Sequence, residues 1–155
     1  MFNLRKATIN DAEFIHECLS YLVSDLNHSI NEFTEYLEQY LFSKNNSIYK
    51  PEIRIGELQN TQIGILTCNY YLMPRYLGIG CSLEEVVILE KYQGNGYAAK
   101  LIKSFVSEAL LDKNIRKVNI STDDKVKAGS AYKKVFDETH MVVYAKILNK
   151  LKDKN

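Results

Sequence analysis

The segment Gln93–Gly96, directly before an amphipathic stretch, has the residue types of an anion-binding turn. The first turn of a helix leaves backbone N–H groups without partners, and the helix dipole adds partial positive charge at that end. Glycine has no Cβ, so a ligand can approach the backbone closely. Such a turn suits a phosphate or a diphosphate. The same glycines are also consistent with a plain connection between a strand and a helix.

Two common phosphate-binding motifs do not fit this turn. The Walker pattern G-x-x-x-x-G-K-[ST] does not occur in the chain. The dinucleotide pattern G-x-G-x-x-G fails because Ala99 stands where the third glycine belongs. The turn also comes late in the chain, whereas a dinucleotide-binding fold usually opens with it. A domain that binds another nucleotide phosphate is therefore kept only as an alternative.

The elements that must position this turn follow from the hydrophobic periodicity. Two early helices, a hairpin and then strands alternating with helices predict an α/β (α+β) chain with a mixed sheet. Thr8 and Asp11 are spaced like a capping box at the first helix, with Asp in place of Glu. The predicted strands span 2–7, 52–58, 63–72, 81–89, 117–121 and 140–147, and the predicted helices span 8–22, 31–43, 96–111 and 128–136.

Length and composition limit the class of protein. The 155 residues fit one domain, which we place at 1–150, with a basic tail at 151–155. A net charge of +1 does not favour a nucleic-acid partner, and no apolar run reaches transmembrane length. The three cysteines are odd in number and lack metal-ligand spacing. We therefore expect a cytoplasmic protein with reduced, buried thiols, no membrane association and no metal site.

A family resemblance becomes visible at the glycine-rich turn. The residues "QGNGYA" fit Q-x-x-G-x-A and resemble the acetyl-CoA loop of the GNAT superfamily of N-acetyltransferases, whose pattern is [RQ]-x-x-G-x-[GA]. The stretch "LRKATINDAEFI" resembles that family's opening, and "AGSAYKKVF" resembles its late A-x-x-x-Y-x-K segment. The order of elements agrees over nearly the whole chain. The resemblance implies a mixed, mostly antiparallel central sheet flanked by helices, with a splayed strand pair that opens a slot for coenzyme A.

The resemblance also implies acetyl-CoA as cosubstrate and assigns residues to it. The backbone at the end of the strand before the turn would bind the pantetheine arm as if it were an extra strand. These strand residues are Val86, Val87 and Ile88. The backbone N–H groups of the turn would hold the pyrophosphate. The turn residues are Gln93, Gly94, Asn95, Gly96, Tyr97 and Ala98.

Tyr132 matches the family tyrosine near the acetyl-CoA sulfur. The leaving thiolate needs a proton, and a phenol can donate one, so the resemblance implies Tyr132 as a general acid. The chain departs from the family pattern in two places near this residue. Lys125 stands where the family often has an Asn that touches coenzyme A, and Val135 runs into Phe136 without the usual glycine.

A general base is needed because an alkyl ammonium has a pKa of about 10.4 and only the neutral amine attacks a thioester. Glu84 and Glu85 lie on the strand before the turn, and many members of the family use a strand glutamate. Adjacent residues of a strand face opposite sides of the sheet. Alternation places Glu84 on the same side as Val86 and Ile88, the side that we expect to face the slot. We therefore prefer Glu84 as the base, with Glu85 as the alternative. Both are also consistent with ordinary solvated glutamates.

The acceptor follows only in outline. In the resembling fold it would be shaped by residues 20–43 and by the loop after the hairpin, where an aromatic and basic group suits a small amine with some apolar or anionic character. That group is Tyr70, Tyr71, Arg75 and Tyr76. Asp123 and Asp124 follow the predicted splayed strand, and they either attract a cationic amine or simply cap the loop.

We therefore expect an acetyltransferase that transfers an acetyl group directly to the primary amine of a small molecule in a ternary complex. A protein N-terminus or lysine is the alternative acceptor. A non-catalytic acyl-CoA-binding regulatory module is the alternative of another class. Family members often pair through late strands, so a homodimer is one expected assembly.

Overall fold

Among the described residues, five strands form a single sheet in the order β1-β2-β3-β4-β5. They are β1 Phe2–Lys6, β2 Glu52–Leu58, β3 Thr61–Met73, β4 Gly78–Ile88 and β5 Ile115–Ile120. This computed structural model describes residues 1–22, 26, 28–43, 49–122 and 129–137. The predicted strand at 140–147, the tail and the residues Asp123, Asp124 and Lys125 lie outside the described residues.

Within the described ranges, four α-helices accompany the sheet. They are α1 Ala12–Ser20, α2 Ile30–Tyr36, α3 Tyr97–Ala109 and α4 Gly129–Tyr132. A 3₁₀ turn at Ile9–Asp11 leads into α1, and a π-helical turn at Leu37–Leu41 continues α2. Two further 3₁₀ turns, Pro74–Tyr76 and Glu90–Tyr92, lie before and after β4. Over the described residues the predicted order of these elements is therefore confirmed, although α4 is much shorter than the predicted 128–136; the strand predicted at 140–147 stays a prediction.

The pairing of the strands is mixed, as expected for this class of fold. Neighbours from β1 to β4 run antiparallel, and only β4 and β5 run parallel. The hairpin between β2 and β3 turns on Gln59 and Asn60, which both have positive φ (51° and 64°). Two successive left-handed residues form the tight turn whose twist matches that of the flanking strands.

Each face of the sheet carries its own hydrophobic core. Alternate residues of a strand point to opposite faces, which divides β3 between Ile65 on one side and Leu66 on the other. The core under α1 and α2 includes Ile15, Cys18, Phe33, Leu37, Ile55, Ile65 and Val87. The core under α3 includes Leu66, Cys68, Cys81, Leu83, Leu101, Ile102 and Phe105.

The three cysteines are unpaired and buried, as the sequence predicted. In the described part of the chain, no group of three or more His, Cys, Asp or Glu side chains is placed to bind a metal ion. Within the same part, every helix is too short or too polar to cross a bilayer.

The sheet opens between β4 and β5. Their parallel pairing runs from Ile79 with Ile115 to Leu83 with Ile120, and there it ends because β5 ends. β4 continues for five more residues to Ile88. Among the described residues, nothing pairs with that edge of β4 beyond Leu83. The predicted fold class, including the splayed strand pair, is therefore confirmed.

A β-bulge lies in β4 just where the splay begins. β3 pairs Leu66 with Val86 but Cys68 with Leu83. Thr67, the one residue of β3 between these pairs, is therefore opposite two residues of β4. An extra residue of this kind bends the strand and re-aims its side chains.

Asp11 fixes the junction between β1 and α1. It is 5% exposed and is the one buried polar or charged residue among those described. Its carboxylate accepts two hydrogen bonds from the Arg5 guanidinium at 2.9 and 2.7 Å. It also accepts from the Thr8 backbone N–H at 2.8 Å and from Gln62 Nε2 on β3 at 2.6 Å. The predicted capping box is present, and it also ties α1 to the sheet.

We predict that Asp11→Asn destabilises the fold by about 2 to 4 kcal/mol, because it removes the buried charge that accepts from two nitrogens of the Arg5 guanidinium and leaves Arg5 with Glu57 alone, at 2.7 Å. The Arg5 hydrogen bonds hold the pKa of Asp11 at about 2. The ordinary aspartate value is about 3.9. This contribution is therefore complete above about pH 4 and is lost as the pH falls toward 2. Urea unfolding at pH 7 and pH 3 measures both effects. The exposed Glu13→Gln serves as a control, and equal losses in the two variants would contradict the prediction.

Candidate active site

The turn between β4 and α3 requires its two glycines. Gly94 and Gly96 both have φ of +76°, in the left-handed region that other residues enter at a cost. Gly96 is also the N-cap of α3. A Cβ built on either glycine meets no atom within 4 Å. The glycines are therefore set by the backbone conformation, and the space next to the turn is open for a ligand.

The turn presents a row of available backbone N–H groups. The first hydrogen bond within α3 runs from Lys100 N to Gly96 O at 3.1 Å. No described residue accepts a hydrogen bond from the N–H groups of residues 94–98. Asn95 turns its side-chain amide back onto the carbonyls of Tyr92 and Gln93. The geometry of the turn thus suits a diphosphate.

Gln93 differs from its predicted role. Its N–H is already bonded to the carbonyl of Glu90 at 3.0 Å, so the row of available amides begins at Gly94 and not at Gln93. Its side-chain amide donates to the Ile88 carbonyl at 2.8 Å. We therefore correct its assignment from a pyrophosphate ligand to a residue that holds the turn against the end of β4.

The other two turn residues, Tyr97 and Ala98, form the first turn of α3 as predicted. Tyr97 stacks on Phe2 of β1, with 6.3 Å between the ring centroids, and meets the edge of Tyr92 at 6.5 Å. Lys100 lies 5.2 Å from the centroid of the Tyr97 ring. These contacts fix the N-terminus of α3 relative to the sheet, and with it the direction of the unpaired N–H groups.

Val86, Val87 and Ile88 lie in the stretch of β4 that pairs with β3 on one side and has no described partner on the β5 side. Val87 belongs to the core under α1 and α2, whereas Val86 and Ile88 pack in the core under α3. Both sets of side chains are therefore occupied with packing. Apart from the Ile88 carbonyl, which accepts from Gln93, the backbone edge on the β5 side has no partner among the described residues, in the place where the sequence predicted the pantetheine arm.

The β4 bulge contains Glu84 and Glu85, and it breaks the alternation used to choose between them. Leu83 and Val86 both pack on the α3 side, although strict alternation would place them on opposite sides. Glu84 was preferred because strict alternation would place it on the same side as Val86, and that argument is therefore wrong. Glu84 is exposed, whereas Glu85 is half-buried.

Glu85 is held in place by Thr67 of β3. The Thr67 hydroxyl donates to the Glu85 carboxylate and accepts from the Glu85 backbone N–H at 3.0 Å. Thr67 lies between Leu66 and Cys68, which face α3, so this pair lies on the opposite face of the sheet. Burial, with the neighbouring charge of Glu84 as a second cause, raises the pKa of Glu85. A carboxylate with a raised pKa is better matched to accept a proton near neutral pH.

Tyr132 lies at the end of α4, on the α3 side of the sheet. It packs against the core that also contains Val86. Burial raises the pKa of its hydroxyl, which keeps the phenol protonated at neutral pH. Tyr132 and Glu85 therefore lie on opposite faces of the sheet.

The predicted acceptor group of four residues is not brought together. Tyr70 faces the α3 core and donates to Glu52 at 2.9 Å, so it is separated from Tyr71 on the other face. Arg75 and Tyr76 lie in the turn after β3, where the guanidinium lies 5.5 Å from the Tyr76 ring centroid. Thr67 had not been singled out from the sequence, because only the bulge brings it to Glu85.

Comparisons with known proteins place this geometry in a known fold. No protein-family model and no curated protein matches the chain. Among solved structures, the ribosomal-protein-alanine N-acetyltransferase of Brucella melitensis biovar Abortus 2308 has a TM-score of 0.75 at 13% identity, covering 96% of this chain and 100% of that one. The glucosamine-6-phosphate N-acetyltransferase of Arabidopsis thaliana has a TM-score of 0.74 at 18% identity, covering 96% and 99%.

A structure described as a transcriptional regulator from Bacillus halodurans C-125 has the same fold, with a TM-score of 0.72 at 14% identity and coverage of 95% of this chain and 100% of that one. Identities this low establish the fold alone. The chain thus has the GNAT fold, and the fold implied by the resemblance is confirmed.

We predict that Gly96→Ala destabilises the protein by about 1 kcal/mol, because alanine in the left-handed region is strained although its methyl group has room. Gly129→Ala is the matched control. A Cβ there also meets nothing within 4 Å, but Gly129 lies in α4 without a positive φ, so we expect it to be neutral or slightly stabilising. Chemical denaturation measures both, and equal effects would show that backbone strain at Gly96 is absent.

Proposed function

We propose that this protein transfers an acetyl group from acetyl-CoA directly to the primary amine of a small molecule. Two neighbouring features carry the proposal. The pairing of β4 with β5 ends at Leu83, and the turn that follows β4 has backbone N–H groups without partners among the described residues. An open strand edge and an anion-binding turn in one line match the two chemical parts of coenzyme A, an amide-containing arm and a diphosphate.

In this proposal the N–H groups from Gly94 to Ala98 bind the diphosphate, and Gln93 positions them through Ile88. The backbone of Val86 to Ile88 hydrogen-bonds the pantetheine arm. The arm then leads the thioester into the opening between β4 and β5. A backbone amide near Val87 polarises the thioester carbonyl and stabilises the negative charge that develops on its oxygen.

The two titratable groups act from opposite faces. Glu85 accepts a proton from the ammonium group of the acceptor, directly or through a water molecule, with Glu84 as the alternative base. The neutral nitrogen then attacks the carbonyl carbon and loses its second proton to water, and the carbon–sulfur bond breaks. Tyr132 donates a proton to the leaving thiolate and regains one from solvent. The raised pKa of Glu85 favours its role as a base, because it then holds a proton more strongly than an ordinary glutamate. The raised pKa of Tyr132 keeps the phenol protonated until the thiolate leaves.

Two other functions fit the same fold. The N-acetyltransferase described for ribosomal-protein alanine illustrates a protein acceptor, and the structure described as a transcriptional regulator favours a module that binds an acyl-CoA without turnover. The two carboxylates in the bulge favour catalysis. A pure binding module has no need of a half-buried glutamate whose charged form is destabilised.

We predict that Tyr132→Phe lowers turnover about 100-fold or more, while the affinity for coenzyme A stays within about twofold, because the phenol acts on the leaving group and not on binding. Calorimetry with coenzyme A, ATP and NAD measures binding, and thiol release over a panel of amines measures turnover. The exposed Tyr76→Phe is the control. Binding of coenzyme A with no acetylated amine would favour the regulatory module, and preference for ATP or NAD would favour a nucleotide-binding domain.

We predict that Glu85→Gln removes the fall of kcat/KM at acid pH, that is, the acid limb of its pH profile. In the native protein this limb should lie above the ordinary glutamate pKa of about 4.3, because Glu85 must be deprotonated to act and its pKa is raised. Glu84→Gln is the matched control, and a loss of the limb in that variant would make Glu84 the base.

Glu85→Gln should also raise the melting temperature at pH 7. Because the pKa of Glu85 is higher in the folded state, its charge destabilises the fold at neutral pH, and this penalty disappears below the unfolded pKa near 4. Melting curves of Glu85→Gln at pH 7 and pH 4 therefore provide an independent check on the burial of this carboxylate.

A further inference from the structure

A row of polar side chains crosses β3, β4 and β5 on the face opposite α3. Asn69 pairs with Ser82, and Ser82 is in turn the register partner of Asn119. One step further along β3, Tyr71 pairs with Gly80, and one step the other way Thr67 meets the bulge. We call this surface the polar face; its members are Thr67, Asn69, Tyr71, Ser82, Glu85 and Asn119.

The position of the polar face follows from its neighbours. Cys68, Cys81 and Leu83 point into the α3 core, and so do Val118 and Ile120. The residues between them therefore face the other way. On that side, the core under α1 and α2 reaches the sheet at Ile65 and Val87 but includes no member of the polar face. Among the described residues, this part of the sheet face carries hydrogen-bonding side chains. The part under α1 and α2 carries a packed hydrophobic core.

The polar face is preorganised by a bridge across three strands. The Tyr71 hydroxyl donates to Asn119 Oδ1 at 2.7 Å, and Asn119 Nδ2 donates to Ser82 Oγ at 3.2 Å. Gly80 makes this possible, because a Cβ there would occupy the position of the Tyr71 ring. Asn119 is fixed by two hydrogen bonds, so its remaining N–H has a defined direction. Ser82 accepts in this bridge, which leaves its own O–H available as a donor.

The chemistry changes along the surface. The carboxylates of Glu84 and Glu85 lie at the end next to the opening between β4 and β5, and they attract a cation. The rest of the row offers the uncharged amide and hydroxyl groups of Asn69, Ser82 and Asn119, which pair with hydroxyl groups. An acceptor built only of methylene groups would leave these polar groups without partners, which costs binding free energy.

We infer that the acceptor is a small amine that carries hydroxyl groups, such as an amino sugar or an amino alcohol. It lies across the polar face with its amine toward Glu85 and its hydroxyl groups on Asn69, Ser82 and Asn119. This inference rests on the proposed acetyl transfer. It replaces the apolar or anionic acceptor expected from the sequence, because that expectation grouped Tyr70 and Tyr71, which lie on opposite faces.

The test compares four amines as acceptors of acetyl groups: glucosamine, cyclohexylamine, spermidine and a peptide with a free N-terminus. Glucosamine and cyclohexylamine are matched in ring size and differ in their hydroxyl groups. We expect kcat/KM for glucosamine to exceed that for cyclohexylamine at least about tenfold, because a site built to hydrogen-bond hydroxyl groups rejects the analogue that lacks them.

Asn69→Ala and Asn119→Ala test the row itself. Each should raise KM for glucosamine about fivefold or more, with kcat and the affinity for acetyl-CoA within about twofold, since both act on acceptor binding alone. Asn69 is exposed and makes no contact in the bridge, so its variant should fold even if Asn119→Ala does not. Lys113→Ala, outside the polar face, is the control.

The outcomes separate this inference from the proposed function. Acetylation of spermidine, cyclohexylamine or the peptide in preference to glucosamine overturns the hydroxylated acceptor and leaves acetyl transfer standing. An unchanged KM in Asn69→Ala, with glucosamine as the best acceptor, overturns the placement on the polar face. Failure to bind acetyl-CoA, or binding without acetylation of any amine, overturns the proposed function and this inference with it.

Discussion

The structure depends on the point where the parallel pairing of β4 and β5 ends. β5 stops at Ile120, opposite Leu83, while β4 continues to Ile88. A strand edge without a partner inside a sheet is costly unless its N–H and C=O groups find other partners. Here the edge leads directly into a turn whose N–H groups are also unpaired. The backbone groups without partners on β4 and in this turn therefore lie next to each other. An extended ligand that contains amides can form the most hydrogen bonds there.

The bulge gives this opening its chemistry. It places Thr67 of β3 opposite two glutamates instead of one, and Thr67 then holds Glu85 through its hydroxyl group. On the other face, Tyr132 packs against the α3 core. The proposed base and the proposed acid therefore lie on opposite sides of the sheet. In the proposed reaction, this separates the group that takes a proton from the amine and the group that gives one to the thiolate, so they cannot neutralise each other directly.

Rigidity around the site comes from polar contacts as well as from the two cores. Asp11 joins β1, α1 and β3 through hydrogen bonds from Arg5, Thr8 and Gln62, and Gln93 ties the glycine-rich turn to the end of β4. On the polar face, the bridge between Tyr71 and Asn119 connects strands that are not neighbours. Each contact fixes a backbone segment that the proposed reaction needs in one position, which lowers the entropy lost when ligands bind.

The sequence alone determined what depends on local pattern. The period of two in β2 and β3, the capping spacing of Thr8 and Asp11, and the glycines that require a left-handed backbone at residues 94 and 96 all act within a few residues. Only the tertiary structure decided how the strands meet. The bulge breaks the alternation of side chains from which Glu84 was preferred as the base. The Gln93 N–H donates to the Glu90 carbonyl, so it is not available to a ligand. Tyr70 and Tyr71 point to opposite faces of the sheet. Register is set by pairing between distant segments, so no local spacing can reveal it.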